Sequence, residues 1–240
     1  MNFDQIEKSM KTALMERSKL RSCYINDSTG NLISYKDKKY IVTCRHVADD
    51  FFNSNKPYVL LRDNKKIFKE NLNYYGKTNK EIDIAIIEIL EHGEISHFYT
   101  IEDFEITNDF SHISNNKLSY FVFGYPFQLK YEDNGKEIIL WMSYLTLKSK
   151  SISSTPDFIY LDYERENEKN IIVEKGLKTI LPKAPGLSGA FIFKIKQFAE
   201  DNNTLWLSSF AKIIAIQLGW NKKSWLKGSN TKHLFELLNK

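Results

Sequence analysis

Apolar residues recur at every fourth position near the start of the chain: Ile6, Met10 and Leu14, flanked by Phe3 and Ala13. That spacing stacks them on one helical face and predicts a helix over residues 2–19. The pattern then changes to short runs rich in β-branched and aromatic residues. They cover 21–25, 31–35, 40–44, 58–61, 82–90, 118–123, 138–147, 158–161, 171–173, 190–195 and 213–218. Turn-forming clusters such as Asp27-Ser28-Thr29-Gly30 and Lys36-Asp37-Lys38-Lys39 punctuate them. No long helical periods lie between the runs, which argues against a parallel α/β sheet. The pattern predicts an all-β fold, a sandwich or a pair of barrels. Near the end, Leu234, Phe235, Leu237 and Leu238 predict a short helix from Thr231 to Asn239, capped by Asn230 or Thr231. Residues 92–116 carry few periodic apolar positions and read as the connection between two halves.

A chain of 240 residues is one large domain or two small ones. With 42% hydrophobic and 27% charged residues it belongs with folded globular chains, not disordered ones. No apolar run approaches the roughly 20 residues that span a bilayer, so no membrane association is expected. The first twenty residues lack the apolar segment of a secretory signal, and a cytoplasmic location is expected. The net charge of +4 is too mild to point to nucleic acid. Cys23 and Cys44 fit neither a disulfide framework nor a metal-ligand spacing, so neither a metal nor another cofactor is expected. The 13 Tyr and 16 Phe suit a strand-rich core. Charge is uneven: residues 81–110 hold nine acids and no Lys or Arg, whereas residues 211–240 hold six Lys and one acid. These read as two solvated surfaces, with a docking patch for a partner as the sharper alternative.

Three positions carry candidate chemistry. His46 ends a strand-like segment that runs into a short helical turn. Asp83 stands where another strand begins, and Ser188 lies in the glycine-rich turn Gly186-Leu187-Ser188-Gly189-Ala190. A serine hydroxyl needs an adjacent base to take its proton, and histidine supplies one near neutral pH. A carboxylate fixes the imidazole tautomer and stabilises the imidazolium as it forms. Glycines let backbone N–H groups turn toward a developing oxyanion, a role open to Gly186 and Ser188. Cys44 reads as a small buried residue, and His92, His97, His112 and His233 read as surface residues.

These segments resemble the trypsin-like (chymotrypsin-fold) serine proteases, over roughly residues 21–220. Ser28 to Ile33 is similar to that family's first glycine-containing strand. Tyr40 to Val47 is similar to its strand ending in Thr-x-x-His, and Ile82 to Ile87 to its Asp-x-Ala strand. Phe123-Gly124-Tyr125-Pro126 resembles the opening of its second barrel, and Gly186 to Ala190 its Gly-x-Ser-Gly-Gly loop. Ile213 to Gly219 resembles the strand that pairs with substrate.

The resemblance implies two six-stranded antiparallel β-barrels. With the helices predicted from apolar spacing at either end, the chain divides into an N-terminal helix (1–20), a first barrel (21–110), a second barrel (117–220) and a helical tail (221–240). It implies His46 as general base, Asp83 as its orienter, Ser188 as nucleophile, and Gly186 and Ser188 as the oxyanion hole. Gln217, Leu218 and Gly219 would pair with an extended substrate. Leu181 and Pro182 would wall the pocket for the residue before the cut, favouring an apolar or small side chain, with Lys183 favouring an acid instead. Leu187 replaces the Asp that secreted members pair with a new N-terminus, which suggests the intracellular, Deg-like or virus-like branches. Arg45 occupies a usually small position beside the histidine.

The expected activity is cleavage of a protein or peptide substrate through an acyl-enzyme, with restricted specificity, as an effector in a bacterial stress or antiphage system. The alternative is a catalytically silent pseudoprotease serving as a binding module. A regulatory protein partner is a further expectation. The N-terminal helix either packs on the back of a barrel or caps the site.

Overall fold

The computed structural model describes residues 3–61, 64–91, 93, 95–111, 118–134, 136–163, 171–173, 184–196, 208–221 and 224–240. After α1 (Phe3–Lys19) come β1 (Ser22–Ile25), β2 (Ser28–Tyr35), β3 (Lys38–Cys44), α2 (Arg45–Asn53), β4 (Tyr58–Leu61), β5 (Lys66–Phe68), β6 (Leu72–Lys77) and β7 (Ile84–Ile89). These strands form one antiparallel sheet in the order β5-β4-β1-β2-β3-β7-β6. The chain continues with β8 (Leu118–Gly124), a separate hairpin of β9 (Lys130–Asp133) and β10 (Lys136–Ile139), and β11 (Met142–Thr146). β12 (Phe158–Asp162), β13 (Ile171–Val173), β14 (Phe191–Lys196), β15 (Ala211–Trp220), β16 (Trp225–Asn230) and α3 (Lys232–Leu238) complete it. The second sheet runs β12-β16-β15-β14-β8-β11-β13, also antiparallel.

Both sheets are curled, which matches the expected pair of β-barrels, and among the described residues seven strands pair in each sheet. Successive side chains on a strand point to opposite faces, and here both faces are buried. In β3, Tyr40 and Val42 join a core shared by the two sheets, while Ile41 and Cys44 fill the interior of the first. In β8 and β14, Phe121, Phe123, Phe191 and Phe193 enter the shared core, while Val122 and Ile192 fill the interior of the second sheet. Burial on two faces explains why these strands read as continuous apolar runs. It also explains the aromatic content: Tyr99, Phe104 and Phe121 meet Phe191 or Phe193 at ring separations of 5.4–5.9 Å between the sheets.

The described part of the connection between the sheets is hydrogen-bonded to both and includes a short 3-10 turn at Ile101–Asp103. Tyr99 exchanges backbone hydrogen bonds with Leu32 and Ser34 of β2, and Glu105 N–H donates to Ile213 of β15. Helix α1 locks this arrangement. Its Leu14 enters the shared core, and its Arg17 guanidinium lies over the Tyr99 and Phe193 rings. Arg17 donates to Asp103 and to the carbonyls of Ser208 and Ala211. The described side chains of α1 thus engage the connection and the second sheet, as a helix packed on the back of the structure would. Among the described residues no helix is long and apolar enough to cross a membrane.

The run 138–147 divides between β10 and β11 because the chain leaves the hairpin at Leu140 and Trp141, both buried, before joining the second sheet. Strands β5, β6, β9 and β16 were not expected. β9 is almost wholly exposed, and β16 (WLKGSN) has no apolar alternation. Gly228 in β16 is required by packing, since a Cβ there would stand 2.4 Å from Ile192 Cδ1. At α3, Asn230 Oδ1 accepts the Lys232 N–H at 2.9 Å, while the Thr231 hydroxyl turns to the Ile214 carbonyl. Substituting Phe193→Ala is expected to remove about 3–5 kcal/mol of stability in urea denaturation, because the aromatic core between the sheets loses its centre. A loss below about 1 kcal/mol would show that the sheets do not depend on one shared core.

Candidate active site

β3 and β7 are paired, with Cys44 opposite Ile84, so the residue before β7 lies beside the start of α2. That residue is Asp83. The first N–H groups of a helix lack partners within it, and Cys44 at the cap position offers no side-chain hydrogen bond. Asp83 supplies both partners: its carbonyl accepts Arg45 N–H at 2.9 Å, and its Oδ1 accepts His46 N–H at 3.0 Å. Its Oδ2 lies 2.7 Å from His46 Nδ1. Asp83 adopts a left-handed φ of 57°, a conformation Asp tolerates better than most residues. The preceding turn holds it there. Asp83 N–H donates to Asn79 O at 3.0 Å, and Asn79 Oδ1 accepts the N–H groups of Glu81 and Ile82. Arg45 turns away from the imidazole to Asp49 and the Thr78 carbonyl, and so braces the same turn.

The hydrogen bond from Asp83 raises the His46 pKa above its ordinary 6.5 against the opposing effect of burial, and the charges of Asp83, Asp50 and Asp49 add to it. With Nδ1 committed to the carboxylate, the neutral ring keeps Nε2 as an acceptor. The side chain of His46 is 49% exposed and that of Asp83 15%, so the pair opens outward from the imidazole.

Ser188 is the second residue of the latter of two consecutive turns. Leu187 N–H donates to Ala184 O with Gly186 at φ 96°, and Ala190 N–H donates to Leu187 O with Gly189 at φ 91°. Positive φ at the third residue, with Pro185 at the second position of the first turn, is the signature of type II turns. Every carbonyl from Ala184 to Ala190 accepts a hydrogen bond. The N–H groups of Leu187, Gly189 and Ala190 donate, whereas among the described residues those of Gly186 and Ser188 have no acceptor. The two unused donors are the serine's own N–H and that of the residue two positions before it.

The first sheet holds this loop in place. Thr29 N–H donates to Ser188 O, Thr29 Oγ1 to Gly186 O at 2.8 Å, and Asn31 Nδ2 to Gly189 O at 2.7 Å. Gly189 packs so closely that a Cβ would stand 2.1 Å from Thr29 O and 3.1 Å from Thr43 Cα. Thr43 is three residues before His46, so the loop rests on the strand that delivers the histidine. Ser188 Oγ donates to Leu218 O at 3.2 Å. A hydroxyl has one proton, so a donation to His46 requires the side chain to rotate away from that carbonyl.

The remaining expected site residues fall in different places. Leu181 and Pro182, with Lys183, lie outside the described residues. Gln217 N–H donates to Ala190 O, and its carbonyl accepts from Gly189 N–H and Cys44 Sγ, so its main chain is closed to a substrate. The β15–β16 register shifts between Gln217 and Gly219, and Gly219 has nothing within 4 Å of where a Cβ would stand. Leu187 is fully buried in the second interior. The donor atoms of Cys44, His46 and Asp83 lie within 4.8 Å of one another. Burial and the Asp83 charge raise the Cys44 pKa well above normal, and the thiol donates to the Gln217 carbonyl. His97 is exposed, and His92 and His112 lie outside the described residues. His233, expected at the surface, is instead largely covered and lies between Asp157 (2.8 Å) and Glu236 (3.0 Å). Sequence reading missed Thr29, Asn31 and Thr43; polar residues within strand-forming runs were the available signal.

No family model matches the chain, and no curated protein matches it. A solved structure is similar to it, from work on aromatic interactions driving the coupled folding and binding of the intrinsically disordered Sesbania mosaic virus VPg protein. The likeness has a TM-score of 0.48 and 11% identity, over 90% of this chain and 87% of that one. The two curled antiparallel sheets themselves fit a chymotrypsin-like double-barrel fold.

His46 is expected to titrate above 6.5 when followed by NMR, and Asp83→Asn is expected to lower that midpoint, because the partner that favours the imidazolium loses its charge. An unchanged midpoint in Asp83→Asn would remove Asp83 as the cause.

Proposed function

We propose that the chain is a serine endopeptidase acting through His46, Asp83 and Ser188. The observation that carries the reading is the pair of unused N–H groups at Gly186 and Ser188, in a loop packed against the strand that ends at a carboxylate-bonded histidine. In this reading Ser188 Oγ leaves the Leu218 carbonyl, gives its proton to His46 Nε2, and attacks the substrate carbonyl. The developing oxyanion meets the Gly186 and Ser188 N–H groups. Asp83 stabilises the imidazolium, which then protonates the leaving amine. Water, deprotonated by His46, releases the acyl group. The substrate is a protein or peptide, its acyl side running along β15 near Leu218 and Gly219. A cytoplasmic effector of restricted specificity, in a bacterial stress or antiphage system, agrees with the sequence pattern.

One observation favours a second reading, a pseudoprotease that binds without cutting: the Ser188 proton is directed at Leu218 rather than at His46. A fluorophosphonate distinguishes the two. The wild type is expected to label on Ser188, and Ser188→Ala not at all. Because only neutral His46 can act as base and its pKa is raised, labelling should increase with pH through a midpoint above 6.5. On any peptide that is cut, Ser188→Ala should lower kcat by about 10⁴-fold or more. Wild type that labels no faster than Ser188→Ala at every pH would leave the binding reading.

A further inference from the structure

Gln217 is fully buried, and its Oε1 accepts no hydrogen bond among the described residues. Its Nε2 donates to Gly219 O at 3.0 Å. That bond fixes the amide, because turning it over would set two carbonyl oxygens against each other. Leaving such an acceptor dry and unpaired disfavours folding by roughly tenfold to a hundredfold, and native interiors hold few such atoms.

The location of this acceptor suggests its purpose. Gln217 pairs with Gly228 across β15 and β16, so both face the same side of the sheet. Gly228 faces Ile192, Ala215 and Ile159 of the second interior. The Gln217 main chain takes the Gly189 N–H, and the next carbonyl, that of Leu218, takes the Ser188 hydroxyl. Two residues on, Gly219 leaves open space where a side chain would stand, and its carbonyl braces the Gln217 amide. An unpaired acceptor therefore lies beneath the segment that borders the nucleophile.

We propose that Gln217 Oε1 reads the side chain of the residue whose carbonyl Ser188 attacks, and that substrates carry an uncharged hydrogen-bond donor there: a carboxamide, a hydroxyl or an imidazole N–H. This inference rests on the peptidase reading. Among the described residues no ion pair or hydrogen bond brings a carboxylate to Gln217. A Lys or Arg side chain would meet one neutral oxygen, too little to replace the water lost from its charge. A leucine would leave Oε1 unpaired, and sites built around a hydrogen bond reject analogues that lack it. The selection thus differs from the apolar preference expected from Leu181 and Pro182.

The test uses the full chain and peptidyl phosphonates that differ only in the side chain beside phosphorus. Wild type is expected to react with the Gln, Asn, Ser and His probes faster than with the Leu, Phe and Lys probes, by about tenfold to a hundredfold between Gln and Leu. Gln217→Leu should abolish that ratio, and Gln217→Glu should move the preference to Lys. Gln217→Met, close in shape, replaces Gln217→Leu if the latter fails to fold. Equal reaction with all probes, reaction with none, or a ranking unchanged by the substitutions overturns the inference. A simple fluorophosphonate run in parallel separates the two ideas: labelling of Ser188 without side-chain preference leaves the peptidase reading standing, and no labelling removes both.

Discussion

The hydrogen bonds that Thr29 and Asn31 send from the first sheet into the Ser188 loop are the constraint on which the site depends. The loop belongs to the second sheet, and the histidine and aspartate to the first. That junction adds a direct tie at the site itself to the shared core that joins the sheets. Thr29 uses its N–H and its hydroxyl there, the hydroxyl both donating to Gly186 and accepting from Tyr125 N–H, while its carbonyl accepts Thr43 Oγ1 within the first sheet. Buried polar groups in a dry junction are costly unless each is paired. The carbonyls between Ala184 and Ala190 are all paired, so the loop cannot shift without breaking several bonds at once. Its two spare donors are thereby held at fixed positions, the preorganisation that electrostatic catalysis requires.

Asp83 applies the same economy to the first sheet. One residue satisfies the open end of α2, holds the imidazole by Nδ1 and ends a braced turn. A carboxylate at a helix N-terminus is favoured in its own right. Folding energy and orientation of the imidazole therefore come from the same contacts. Substitution at Asp83 should perturb both, whereas substitution at Ser188 touches the fold little.

The local settings of His46, Asp83 and Ser188, each where a strand-like run meets a turn, were legible in the sequence from their order and combination, since each residue type alone is common in such places. The helices at both ends were legible from their apolar spacing, and most strands from β-branched runs. The strand boundaries were hidden where burial is one-sided or slight, as in β9, or where Gly228 and Lys227 mask a central strand. The irregular register at Leu218 is invisible in sequence, and it takes Gln217 from the expected substrate strand into the interior. His233 was misread because its partner Asp157 lies 76 residues away. The clamp at Thr29 and Asn31 was missed for the same reason: its partners belong to the other sheet.

The proposed chemistry requires Gly186 and Ser188 to present a fixed pair of donors to charge developing on a carbonyl that Ser188 attacks. A crystal structure of the phosphonylated protein tests it most directly. Phosphorus is expected on Ser188 Oγ, with the Oγ displaced from the Leu218 carbonyl and the phosphoryl oxygen about 2.7–3.1 Å from both N–H groups. A phosphoryl oxygen directed elsewhere, with the Gly186 and Ser188 N–H groups still unbonded, would contradict it.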